Sequence, residues 1–141
     1  GSFGSLHANT AMETITRMIN PPMNVPPIML TGLDLIIIQA RLHVNGKTAR
    51  KITEVAEIAG MEGDKPRLNA IWKYNAATDQ IEETGIPSKM RETICTAAGI
   101  TPAQFEQHLK QREHILADLL NRDIRDIETV TKVVQGFYAS R

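Results

Sequence analysis

Leu35-Ile36-Ile37-Ile38-Gln39-Ala40-Arg41-Leu42-His43-Val44-Asn45-Gly46-Lys47-Thr48 is the stretch whose reading decides the fold. The region from Leu33 to Val44 predicts a strand with Leu35 to Ile38 at its heart. Four consecutive apolar residues imply cover on both faces, as in a sheet sandwiched between other layers. Asn45-Gly46 follows, the strongest two-residue hairpin signal, because both positions accept a positive φ. The return strand is expected over Ala49 to Ile58, although Ile52, Val55 and Ile58 are also spaced for a helix. Gly46-Lys47-Thr48 invites comparison with a phosphate loop. Such a loop needs a glycine five positions before Gly46, where this chain has Arg41, so the hairpin turn is preferred.

Downstream, Gly60, Gly63 and Asp64 mark a turn. Leu68 to Tyr74 and Gln80 to Glu83 read as short strands about an Asn75-to-Asp79 turn. From Pro87 the pattern becomes helical. Ser88 to Ala98 is stopped by Gly99, and Thr101-Pro102 opens the next helix, with Gln104 completing a capping box. Phe105, Leu109, Arg112, Leu116, Leu119 and Leu120 form its stripe. A last helix begins near Asp123 or Asp126 and is expected to bury Ile127, Val130, Val134 and Phe137. Upstream, Thr10 and Glu13 predict a capping box at the head of a helix from about Asn9 to Ile19, with Met12, Ile15, Met18 and Ile19 on one face. Asn20-Pro21-Pro22 ends that helix, and Pro21 to Pro27 reads as a stiff extended connector. An α/β portion over residues 1–85 is therefore expected before a helical portion over 86–141.

Length and composition bound the function. A chain of 141 residues buries roughly 68% of its unfolded surface, enough for a core. Sixteen Lys and Arg balance sixteen Asp and Glu, which argues against a dedicated nucleic-acid binder. An aromatic content of 4% argues against base-stacking platforms. Cys95 is the only cysteine, so there is no internal disulfide and no Cys/His zinc set. No apolar run is long enough to span a membrane. The chain starts at Gly1 rather than methionine, so a processed or truncated start is expected.

His7 is the one histidine with a chemical setting. Gly4-Ser5 gives a flexible approach, Ala8 leaves room, and a helix start follows. A helix N-terminus favours anions, and a neutral imidazole both donates and accepts, so His7 could report a terminal phosphate. His108 and His114 lie six apart on a helix and do not share a face, while His43 has no partner nearby in sequence. Asp123, Asp126 and Glu128 fit helix capping better than a metal cluster, so no metal site is expected.

Gly4-Ser5-Leu6-His7-Ala8-Asn9-Thr10 resembles the histidine box of the type II/type IV secretion ATPases, the motors of secretion systems, type IV pili and the archaeal flagellum. Pro21 to Pro26, Leu33 to Arg41, Arg50 to Ile58 and Gly60 to Asp64 are similar to the family's following segments in order, and Asp123 to Asp126 is similar to a later one. The resemblance covers almost the whole chain. It implies the C-terminal part of a RecA-type P-loop NTPase domain of α/β class, followed by a small helical bundle. It further implies a hexameric ring, ATP and Mg2+ as cofactors of the full-length protein, and force passed to an inner-membrane platform protein. The place of work would be the cytoplasmic face of the membrane, reached only through partners. His7 carries over as the catalytic phosphate sensor, with Ser5 and Arg41 as nucleotide-proximal neighbours. The family's phosphate-loop lysine and two acidic boxes precede its histidine box and are not in this chain. The fragment alone is therefore expected neither to hydrolyse ATP nor to hold it tightly. The alternative from the residues themselves is a non-catalytic helical protein-interaction module.

Overall fold

The computed structural model describes residues 2–44 and 46–139. Two compact units divide at Thr93/Ile94, rather than at the composition change near residue 86. The first unit opens with helix α1 (Ala11–Ile19), followed by a short 3₁₀ helix (Pro27–Gly32) and four strands. These are β1 (Leu35–Val44), β2 (Lys47–Glu62), β3 (Lys65–Asn75) and β4 (Gln80–Glu83).

The strands form one sheet in the order β1-β2-β3-β4, with every neighbouring pair antiparallel. This overturns the expectation of a RecA-type P-loop core, whose sheet is parallel. The physical reason lies in the connections. Val44 pairs with Lys47, Glu62 with Lys65 and Asn75 with Gln80, leaving links of two, two and four residues. A parallel pair needs a crossover of a dozen residues or more, and none of these links can supply one. Gly46 takes φ +73 between β1 and β2, as the hairpin reading requires; Asn45 lies outside the described residues. Gly63 takes φ +58 at the second turn.

The apolar run of β1 is covered on one face only. Ile36 and Ile38 are 6% and 4% exposed, whereas Ile37 between them is 57% exposed. Alternation of side chains turns what reads as a doubly buried strand into a half-buried one. On the covered face Ile36, Ile38, Ala56 and Ile58 pack with Ala11 and Ile15 of α1 and with Leu30 of the 3₁₀ helix. Met12, expected among them, points to solvent. The stretch after α1 is not an extended connector. Pro21–Pro22 is a cis peptide, and the Val25 N–H returns to the Met18 carbonyl at 2.8 Å before the 3₁₀ helix begins. Gly60 belongs to no turn. It sits inside β2, where the register against β3 shifts between Ile58 and Gly60.

Helix α2 (Lys89–Ala98) is followed by Gly99 at φ +63. The second unit carries α3 (Pro102–Asn121) and α4 (Ile127–Ala139). Both halves of the capping box at Thr101 and Gln104 are formed. Asp126 caps α4 by accepting the Thr129 N–H at 2.8 Å, which holds its carboxyl below the ordinary range. The guanidinium of Arg112 lies 5.7 Å and 5.8 Å from the ring centroids of Phe137 and Tyr138. The stripe on α3 is displaced from the expected one: Leu119 is buried, but Leu109, Leu116 and Leu120 are exposed. On α4, Val130, Val134 and Phe137 are half-buried, whereas Ile127 is 77% exposed.

Candidate functional site

The sequence pointed to the approach to α1, and the structure gives that approach a definite chemistry. Thr10 caps the helix by accepting the Glu13 N–H at 3.0 Å. Glu13 does not return to Thr10 as a capping box would. Its carboxylate accepts the backbone N–H of Asn9 at 2.8 Å and also binds Arg17. Those bonds hold the Glu13 carboxyl below its ordinary pKa, the Asn9 N–H being the largest cause. Glu54, reaching across from β2, accepts the Ala11 N–H at 2.8 Å. Two carboxylates of the chain itself therefore occupy the positive end of α1, the end an external anion would seek.

His7 is exposed on the segment before this helix. Ser5 lines a cavity of about 540 Å3 between the segment and β1, and neither His7 nor Arg41 is among its lining residues. Arg41 lies well along β1, directly opposite Arg50 of β2. The structure thus brings Ser5 to the cavity and does not gather Ser5, His7 and Arg41 around one point. His43 does have a neighbour, Thr48, across the hairpin at 3.3 Å between Nδ1 and Oγ1. Among the described residues, no group of three His, Cys, Asp or Glu side chains could hold a metal ion.

Sequence reasoning missed the best-built polar cluster, at the start of α2. Glu57 is only 2% exposed. Its carboxylate accepts the Lys89 N–H at 2.7 Å, the Met90 N–H at 3.3 Å and the Ser88 hydroxyl. Ser88 in turn accepts the Arg91 N–H at 3.0 Å. A buried carboxylate is tolerated only when its lone pairs are satisfied, and here the first turn of a helix satisfies them. Alternation along β2 puts Glu57 on the face opposite Ala56 and Ile58, so α2 starts on the side of the sheet that α1 does not cover. The available signal was a lone acidic residue amid Val55-Ala56 and Ile58-Ala59.

A second missed cluster ties the β3–β4 turn to β2. Asp79, at φ +55, accepts both the Lys51 ammonium and the Tyr74 hydroxyl at 2.6 Å. The Lys51 bond, then the Tyr74 bond, lowers the Asp79 carboxyl pKa; the bond to Asp79 raises the Tyr74 hydroxyl.

No family model matches the chain. It is similar to three uncharacterized proteins of the archaeon Methanocaldococcus jannaschii. MJ0781 is 39% identical over 136 residues, which make up 95% of this chain and 19% of that protein. MJ0900 and MJ1287 are each 27% identical over 95% of this chain, covering 25% and 50% of their own lengths. The chain thus spans about a fifth to a half of the curated relatives it matches. The antiparallel sheet is not that of a nucleotide-binding P-loop NTPase, and these uncharacterized relatives give no support to the name secretion ATPase. No helix among the described residues is long and apolar enough to cross a membrane.

Proposed function

We propose that this chain is a segment of a larger ring-forming motor protein of the kind its sequence resembles, and that it transmits force and makes subunit contacts without turning over nucleotide itself. The observation that carries the reading is the ordered run of segments from Gly4 to Asp64 similar to that motor family. The relatives support a segment's role, since this chain matches only a part of each. The bonding of Glu57 to the first turn of α2 supports the mechanical part: a helix whose start is bound to a strand follows that strand when it moves.

In this reading ATP and Mg2+ belong to the whole protein. His7, exposed beside a helix end already supplied with carboxylates, would answer to a phosphate held by groups outside the chain. The partners would be other copies in a hexameric ring and an inner-membrane platform protein, met at the cytoplasmic face of the membrane, with no nucleic acid involved. The test compares the full product of the gene with its His7→Ala variant. The variant should bind nucleotide normally and lose most turnover. Unchanged turnover would refute the sensing role, and turnover by residues 1–141 alone would refute the whole assignment. One observation favours the second reading, a helical protein-interaction module: Leu109, Leu116 and Leu120 form an exposed row on α3.

A further inference from the structure

The cavity beside β1 has an unusual wall. It is lined by the consecutive residues 35–39, together with Gly4, Ser5, Leu6 and Ala8. Successive residues of a strand face opposite sides of the sheet, so a space lined by five in a row lies along the strand's edge rather than over one face. Among the described residues that edge is open: β1 ends the sheet order and pairs only with β2. Among the described residues, no backbone hydrogen bond joins the 4–8 segment to β1. A free edge offers N–H and C=O groups to another strand, and natural proteins guard such edges with charge, proline or a short strand. β1 is ten residues long, and its first five, Leu35 to Gln39, contain neither a charge nor a proline. Among the described residues that line the cavity none is charged, and its floor includes Thr14 and Met18 of α1.

We propose that this groove receives an extended apolar segment from the rest of the longer polypeptide, which adds to the sheet as a fifth strand alongside β1. Backbone bonds along the edge would supply affinity, and the exposed Ile37 would supply side-chain contact. The occupant is assigned to the same polypeptide because matching relatives extend far beyond the aligned region, by half to four-fifths of their length. The proposal rests on the reading of this chain as a segment of a larger protein, but not on ring formation or nucleotide chemistry.

Amide hydrogen exchange tests it, measured on residues 35–44 in this chain alone and in the full gene product. The outward amides of β1 should exchange at least tenfold more slowly in the full product. Ile37→Lys should return them to the rates of the isolated chain, while lowering the melting temperature of the isolated chain by no more than about 4 °C. Equal exchange in the two proteins would overturn the proposal. So would protection that grows with concentration of the isolated chain, which assigns the edge to a second copy. Protection of the isolated chain by a small apolar dye would assign it to a free ligand and overturn the proposal too. A full product that forms no ring yet protects β1 would sink the motor reading and leave this one standing.

Discussion

Replacing Glu57 should loosen the start of α2 before it affects anything else. The carboxylate accepts two N–H groups of the first helical turn and one hydroxyl, all from residues 88–90. Hydrogen bonds to a charged partner contribute about 1.5–3 kcal/mol each, but the 3.3 Å bond to Met90 is weak and water can reach the exposed Lys89, so Glu57→Ala should cost about 3–4 kcal/mol. Glu57→Gln keeps the shape and one acceptor while removing the charge from the helix's positive end, and should cost about 1–2 kcal/mol. For a unit of this size each kcal/mol lowers the melting temperature by about 4–8 °C. Thermal and denaturant unfolding give the totals, and amide exchange at Lys89 and Met90 locates them. Faster exchange should be confined to the start of α2 in the Gln variant. An Ala variant that loses less than about 1 kcal/mol would refute the argument, because a truncation that takes the acceptor from the half-buried Ser88 hydroxyl and Met90 N–H cannot be that mild. So would unchanged exchange at those two amides.

Three further outcomes follow from the same geometry. Ile36→Ala should cost about 2–5 kcal/mol and Ile37→Ala no more than about 0.5 kcal/mol, although the two are adjacent; equal losses in chemical denaturation would show that both faces of β1 are covered. The Asp79 cluster should give the first unit two pH limits. Asp79 has a lowered folded pKa, so its stabilisation is present above the unfolded value of 3.8 and is lost as pH falls below it. Tyr74 has a raised folded pKa, so its stabilisation is lost as pH climbs above 10.0; Tyr74→Phe should abolish this alkaline limb in a melting-temperature profile. Gly46→Ala meets no atom within 4 Å but must hold a positive φ, so it should cost about 1 kcal/mol through the backbone alone; a neutral result on unfolding would show that the turn relaxes.

Local structure was legible wherever a cap or a turn residue fixed it. Thr101 and Gln104, Gly99, and the strand Gln80–Glu83 stand where their residues predict. The failures share one cause, that burial is set by partners the local sequence does not contain. Leu35 to Ile38 reads as a doubly covered strand because all four residues are apolar, yet α1 and the 3₁₀ helix cover one side only. The family resemblance implies a RecA-type core, whose parallel sheet the short turns forbid. Gly60 reads as a turn because glycine marks both turns and bulges, and only the pairing with β3 distinguishes them. The capping of α1 by Glu54 and of α2 by Glu57 links positions 43 and 32 residues apart, beyond the reach of any local pattern. His7, Ser5 and Arg41 stand out by local setting and resemblance alone, and the fold places Ser5 on the cavity wall, His7 exposed on the same segment and Arg41 far along β1.

Glu54 and Glu57 belong to the same strand, one serving each helix start. The sheet therefore cannot slip without a double penalty. Moving β2 along by one residue would drive a carboxylate into the place of Ala56, which is 0% exposed, and strand both helix ends at once. Two polar contacts that look like local trim thus act as pins for strand alignment. A hairpin ladder that burial of one face already aligns is held to that registration by the helices on either side of it.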